Sequence, residues 1–355
     1  GEALGTDPGQ LAAELAAREA ALAAASATLA GLEESARHEE AWGPGTLPAS
    51  PPRRKEGLRA FVGVNTGLSQ RDRRDALRAT WFPSGATADA LERDHGVVVR
   101  FVVGRAVDAG DSLQLDLQQE AEEHGDIILM SDHVERYLKL SDKTQKFFAV
   151  AHASYGADFY VKVDDDVFLD IAELSSALAE HRGAGGAPRD VYFGCMKSGR
   201  VITSPALKWY EPEHWRLGDE GNSYFRHATG QVYALSEGLA RHVAEHGPLL
   251  HRYTNEDVSV GAWLLGLEHT PVDERRLCCQ SCSEGNGKPC IAVWQWACSG
   301  LCSAVENMRP VQRACQAAKF GTRSAVSIAG AQDRLRGLAG GGAAALRRQR
   351  QQQQG

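Results

Sequence analysis

Four short apolar runs alternate with helical stretches between Leu58 and Val163, and this alternation constrains the fold more than any other feature of the chain. Arg59 to Asn65, Val97 to Gly104, Asp126 to Met130 and Phe159 to Val163 are rich in β-branched and aromatic residues and read as strands. Arg71 to Trp81 reads as a basic helix and Leu113 to His124 as another. Ser141 reads as the cap of a helix running to about Ser154. Strand-helix alternation of this kind predicts an α/β domain with a largely parallel, Rossmann-like sheet. No Gly-x-Gly-x-x-Gly or Walker A loop appears, which argues against a dinucleotide or P-loop enzyme.

The fourth strand runs straight into three carboxylates, in Phe159-Tyr-Val-Lys-Val-Asp-Asp-Asp-Val-Phe168. Asp164, Asp165 and Asp166 thus fall at the carboxyl end of a strand, where ligands bind in open α/β sheets. Adjacent carboxylates repel, so something must offset their charge. A hard divalent cation does so and bridges to phosphate oxygens. A solvated acidic turn or a helix N-terminus is the plainer reading. No Asp-x-Asp-x-Asp-Gly loop supports a calcium-binding structural protein.

The 355 residues carry a net charge of -7, which argues against a nucleic-acid binder. No stretch reaches the roughly 18–20 apolar residues of a membrane span. The chain begins at Gly1, so an upstream signal or anchor is compatible with it. Leu11 to Glu34 is Ala-rich, with leucines near heptad spacing. It reads either as a stalk that pairs with another chain or as a lone helix. The Pro48-Ala-Ser-Pro-Pro52 cluster reads as a linker. Seven of the eight cysteines fall between Cys278 and Cys315. An even, clustered set points to disulfides in an oxidising compartment. Zinc is the alternative, because Cys279-x-x-Cys282 and Cys298-x-x-x-Cys302 have ligand-like gaps. Connectivity does not follow from sequence. The tail from Gly337 is low-complexity.

The second half is more mixed. Val191 to Met196 and Thr229 to Leu235 read as strands, and Gly183 to Pro188 as a loop. Trp209, Tyr210 and Trp215 are the kind of aromatics that stack on sugar faces, though aromatics also simply fill cores. Glu256-Asp257 precedes a helix at Val258 to Leu267, where acids also serve as ordinary caps.

Several segments together resemble the glycosyltransferase 31 family, the β-1,3-galactosyltransferases. They are Arg74-Asp-Ala-Leu-Arg78-Ala-Thr-Trp81, Lys143-Thr-Gln-Lys-Phe-Phe148, Val161-Lys-Val-Asp-Asp-Asp-Val-Phe168 and Asn255-Glu-Asp-Val-Ser-Val-Gly261. The plant-type branch is closer. Phe193 to Gly199, Tyr210 to Trp215, Tyr224 to Gln231, Leu277-Cys-Cys279 and Trp296-Ala-Cys-Ser-Gly-Leu-Cys302 are similar to it. Any one of these motifs is weak, but their joint order over residues 58 to 280 is specific.

The resemblance implies a GT-A fold with a Rossmann-like mixed sheet and a cysteine-rich C-terminal extension. Its organisation would be a stem (1–57), a catalytic domain (58–276), the cysteine-rich extension (277–320) and a low-complexity tail (321–355). It implies inverting transfer of galactose from UDP-galactose to a galactose-containing glycoprotein or glycan in β-1,3 linkage, with Mn2+ as cofactor. It further implies a type II membrane protein with a lumenal Golgi catalytic domain, and the stem offers a place to dimerise. Transfer of N-acetylglucosamine or another hexose on the same fold, and a catalytically silent carbohydrate-binding protein, are the alternatives.

In this reading Asp166 and Asp164 hold the metal, Asp164 directly or through ribose or water, and Asp165 faces the donor sugar. Inversion needs a base opposite the departing UDP, and Asp257 resembles the family's base. Arg74 and Arg78, one helical turn apart, would anchor the diphosphate or fix the nucleotide loop. Lys143, Gly230 and Glu256 would complete the donor site. Trp209, Tyr210 and Trp215 would hold the acceptor. His227 is either a substrate contact or a packed core histidine. Plant-type relatives place a histidine nearer the Arg-x-Leu-Cys-Cys segment than His269 stands here, so no metal role is assigned to His269.

Overall fold

The computed structural model describes residues 55–135, 139–182, 190–218, 223–285 and 287–319. The expected stem helix, the linker, the loop from Gly183 and the low-complexity tail lie outside the described residues. The first half follows the expected alternation. β1 (Lys55–Asn65), α1 (Arg71–Arg78), α2 (Ala86–His95) and β2 (Val97–Arg105) come first. Next are α3 (Ser112–His124), β3 (Ile127–Val134), α4 (Leu140–Ser154) and β4 (Tyr155–Asp164). Then follow β5 (Phe168–Leu169), α5 (Ile171–Ala179), β6 (Val191–Arg200), β7 (Ser223–Ser236), α6 (Glu237–His246), α7 (Glu256–Leu264), β8 (Thr270–Asp273) and β9 (Ala292–Val293). A last helix, α8, covers 304–319.

Seven strands form one sheet in the order β3-β2-β1-β4-β7-β6-β8. The first four are mutually parallel. β6 and β8 are parallel as well, and β7 runs antiparallel to both β4 and β6, so the sheet is mixed, with most pairings parallel as expected. β4 is buried on both faces, which is why Phe159 to Val163 is apolar on both faces apart from Lys162 and does not alternate. Phe159, Val161 and Val163 face one core with Leu77 of α1, Leu174 of α5 and Trp294 of the cysteine-rich segment. Tyr160 faces the other core, with Phe147 and Phe148 of α4, Leu239 of α6 and Trp263 of α7.

Two local expectations are corrected. Ser141 is not a cap: the helix begins at Leu140, and the buried Ser141 hydroxyl donates to the Tyr253 carbonyl at 2.6 Å. The helix expected to reach Trp81 stops at Arg78, where the Thr80 hydroxyl bonds back to the Ala76 carbonyl at 2.7 Å. Trp81 instead donates its indole N–H to the Val167 carbonyl at 2.9 Å, beside the aspartates. α2 was not foreseen. It buries no residue, so it carries no apolar periodicity to read.

All eight cysteines pair, as Cys195–Cys278, Cys279–Cys290, Cys282–Cys315 and Cys298–Cys302. The zinc alternative is thereby excluded. Cys195–Cys278 joins β6 to the segment after β8 across 83 residues, and loop-closure entropy alone gives such a bridge about 4 kcal/mol.

Close packing between β1 and α4 gives the first prediction. A Cβ on Gly63 would stand 2.1 Å from a ring carbon of Phe147, a fully buried side chain. Gly63→Ala is expected to cost about 1–3 kcal/mol in urea unfolding. An unchanged midpoint would mean that the ring has room the packing denies.

Candidate active site

The carboxyl end of β4 delivers Asp164, Asp165 and Asp166 beside Asn65, the last residue of β1. Arg73 of α1 reaches over them. Its guanidinium donates to Asp165 Oδ1 at 2.6 Å and to Asp166 Oδ2 at 3.0 Å. On the strand side, the Lys162 ammonium lies 2.6 Å from Asp164 Oδ1. Two basic groups therefore offset the three carboxylates, so charge balance alone does not demand a metal. Asp166 Oδ1, however, is buried with no hydrogen-bond partner.

Lys162 also links the aspartates to the other half of the site. Its ammonium donates to Glu256 Oε1 at 2.9 Å and to the Gly230 carbonyl at 2.5 Å. Tyr233 donates its hydroxyl to the second Glu256 oxygen at 2.9 Å. One buried ammonium thus serves two carboxylates, the half-buried Asp164 and the more enclosed Glu256. It cannot fully offset both, and burial pushes Glu256 up to about 7 and Asp164 up to about 6. Next to Glu256, in the first turn of α7, stands Asp257. Burial would raise its pKa, but the Lys197 ammonium at 2.7 Å outweighs that, and Asp257 is held below the ordinary carboxylate value. His227 Nε2 lies 3.8 Å from the same carboxylate oxygen. Its Nδ1–H donates to the Phe225 carbonyl at 2.8 Å, and burial lowers its pKa, so Nε2 presents a lone pair. Residues 91 positions apart in the chain are brought into one acidic cleft.

The rim of that cleft carries aromatics. Trp209 and Trp215 are 52% and 63% exposed, and Tyr210 is half-buried. The Trp209 carbonyl accepts from Asn255 Nδ2 at 3.2 Å, immediately before α7. Buried Glu211 fixes this segment by accepting from the Thr254 and Glu213 amides, each at 3.1 Å. Trp209 and Trp215 are thus surface residues and not core, and Trp209 lies beside Asn255 at the start of α7.

Residues 72–275 match the family model described as Galactosyltransferase. The chain belongs to the galactosyltransferase family. It is 47% identical to Probable beta-1,3-galactosyltransferase 4 of Arabidopsis thaliana, covering 76% of this chain and 65% of that protein. It is 44% identical to Probable beta-1,3-galactosyltransferase 8 (81% and 72%) and 42% identical to Beta-1,3-galactosyltransferase 7 (74% and 68%), both of Arabidopsis thaliana. The chain spans 65% and 62% of the length of the first two relatives it matches. Among solved structures it is similar to a mannosyltransferase from Pyrobaculum calidifontis in complex with GDP-Man and Mn2+. That likeness is 13% identical, covers 71% of this chain and 64% of the other, and has a TM-score of 0.32, too remote to carry an argument.

Within this family member, three expected donor contacts are placed elsewhere. Arg74 is 1% exposed, and its guanidinium is committed to Glu120 (2.6 and 2.8 Å) and to the Gly67 carbonyl (2.6 Å). Arg78 is held by Asp126, Glu120 and Asp75. Neither arginine offers an open donor to a diphosphate. Both brace α1 against α3, and Arg74 fixes the loop after β1. Lys143 is buried and donates to the Thr66 carbonyl at 2.6 Å and to Glu135, supporting the same loop from α4. Gly230 gives its carbonyl to Lys162, and a Cβ there would stand 2.7 Å from Glu256 Oε1. Glu256 likewise acts through Lys162. His269 precedes β8, whose start pairs with the start of β6, at the sheet end opposite the aspartates.

Three residues of the cleft had no role assigned from sequence: Arg73, Lys162 and Lys197. A lysine inside the apolar run Phe159 to Val163 was the available signal for Lys162.

The placement of Arg74 generates a prediction. Arg74→Met strands a buried carboxylate with only Arg78 left to offset it, so unfolding stability should fall by about 3 kcal/mol. A variant with wild-type stability but lost donor affinity would restore the direct-contact role.

Proposed function

We propose that the protein is an inverting galactosyltransferase that moves galactose from UDP-galactose to a galactose-containing glycan in β-1,3 linkage. The observation that carries this reading is the opposition of two acid groups across Lys162: Asp164 to Asp166 on one side and Asp257, ionised by Lys197, on the other. Direct displacement at a sugar carbon needs a leaving-group site and a base on opposite sides, and the cleft offers candidates for each.

Asp257 takes the proton of the attacking acceptor hydroxyl. Lys197 keeps the carboxylate charged until that proton arrives, and His227 Nε2 offers a lone pair beside it. The exposed rings of Trp209 and Trp215 give a sugar a stacking surface near Asn255, where an acceptor would enter. On the donor side, Asp166, whose Oδ1 has no hydrogen-bond partner, and Asp164 would hold a hard divalent ion. Among the described residues no three His, Cys, Asp or Glu side chains converge to cage a metal. When bound, Mn2+ would supply Lewis-acid stabilisation of the charge growing on UDP. The four disulfides favour an oxidising compartment, in keeping with a Golgi lumenal site. Among the described residues no helix is long and apolar enough to cross a membrane.

The reading is tested by incubating the protein with galactosyl acceptors and either UDP-galactose or UDP-N-acetylglucosamine, with Mn2+ or a chelator, and determining the product linkage by NMR. A β-1,3-galactosyl product that requires the metal is expected. Product from the N-acetylglucosamine donor alone, or an undiminished rate under chelation, contradicts it. Asp257→Asn should lower kcat by about 100- to 10,000-fold. Lys197→Met gives a sharper check. Activity needs Asp257 ionised, so it falls as pH drops through that group's pKa. Without Lys197, burial acts unopposed by the ammonium and the pKa rises. The acid limb of kcat/KM should therefore move to higher pH, and an unmoved limb would remove Asp257 from the base role.

A further inference from the structure

The carboxylate of Asp166 is confined from a side that the mechanism above does not use. The cysteine-rich segment returns to β5 through β9, pairing Phe168 with Val293 and Leu169 with Ala292. It then forms a five-residue ring closed by Cys298–Cys302 and lays it on the aspartates. The Leu301 amide donates to the Asp166 carbonyl at 2.7 Å. Gly300 lies directly against the side chain: a Cβ there would stand 2.3–2.4 Å from Cγ, Oδ1 and Oδ2 of Asp166. The loop itself is fixed. The Gln295 amide donates to the Gly300 carbonyl at 3.0 Å, and the Gln295 side chain accepts from the Cys302 amide at 2.8 Å. Gln231 of β7 donates to the Ser299 carbonyl at 3.0 Å, and Ser299 holds a left-handed φ of 58°.

We propose that the Cys298–Cys302 loop is a positioning element for the cation-holding aspartate, with Gly300 the residue that sets where the Asp166 carboxylate points. Arg73 fixes Oδ2 from one side and Leu301 fixes the backbone. With Gly300 packed against both carboxylate oxygens, Oδ1 is buried and held without a protein partner. A methyl at position 300 has no space unless Asp166 turns, and turning moves Oδ1. Gly300 does not adopt a positive φ, so alanine adds a side chain there without adding backbone strain. This inference rests on the proposed cation at Asp166.

The test is direct Mn2+ binding in the presence of UDP, followed by electron paramagnetic resonance of free Mn2+, alongside thermal unfolding. The proteins compared are wild type, Gly300→Ala, the pair Cys298→Ser with Cys302→Ser, and Gly266→Ala, whose Cβ would meet nothing within 4 Å. Gly300→Ala should weaken Mn2+ binding at least tenfold while still unfolding cooperatively. The serine pair should weaken it in the same direction, and Gly266→Ala should match wild type. If Gly300→Ala does not fold, the serine pair decides by the same measure. Folded Gly300→Ala with wild-type Mn2+ affinity overturns the positioning role and leaves the metal reading standing. Wild type that binds no Mn2+ overturns the metal reading and this inference with it.

Discussion

The buried ammonium of Lys162 is the interaction on which the cleft depends. It sits in the middle of a strand packed on both faces and is bonded at once to Asp164, Glu256 and the Gly230 carbonyl. Those three partners belong to β4, the start of α7 and β7. A lysine in such a place is costly to desolvate and persists only with its charge matched. Here the matching partners are Asp164, one of the proposed metal ligands, and Glu256, the acid beside the proposed base. Fixing the charge therefore also fixes the relative position of the two catalytic halves. Because one cation faces two carboxylates, burial keeps Asp164 and Glu256 above their ordinary values, whereas Asp257, with its own lysine, stays below.

A second layer of support surrounds that centre. Arg74, Arg78 and Lys143 do not reach into the cleft. They lock the loop after β1 and the α1–α3 contact from beneath. The cysteine-rich segment does the same from above. Trp294 is fully buried in the core shared with β4, its indole donates to the Leu277 carbonyl, and the strand pairing of β9 with β5 begins two residues past Asp166. The disulfides thus brace the site as well as the chain.

Much of the fold was legible because β1, β2 and β4 are densely apolar, interrupted by single residues such as Arg59, Arg100 and Lys162, and such runs mark strands covered on both faces. Strand direction was not legible: nothing in Thr229 to Leu235 says that β7 runs antiparallel to β4. α2 was invisible because it buries nothing. In the cleft, Asp164 to Asp166 could be singled out because three adjacent carboxylates call for an explanation, whereas Asp257 stood out only through the family resemblance, an acid in the first turn of a helix being ordinary. Arg73 could not, since the adjacent Arg74 and Arg78 carry the family pattern and only the turn of α1 decides which arginine faces the aspartates. Lys197 depended on a pairing between β6 and β7 that places it opposite His227. The cysteine connectivity was open for the same reason, being set by contacts far apart in the chain.

The central claim, that one buried lysine couples the two acid clusters, is tested most directly by a double-mutant cycle of unfolding free energies with Lys162→Met and Glu256→Gln. Lys162→Met alone should cost about 3–5 kcal/mol, because it leaves buried carboxylates uncompensated. Adding Glu256→Gln should then cost less than it does in the wild-type background, with a coupling of more than about 1 kcal/mol. Effects that simply add, within about 0.5 kcal/mol, would contradict the account.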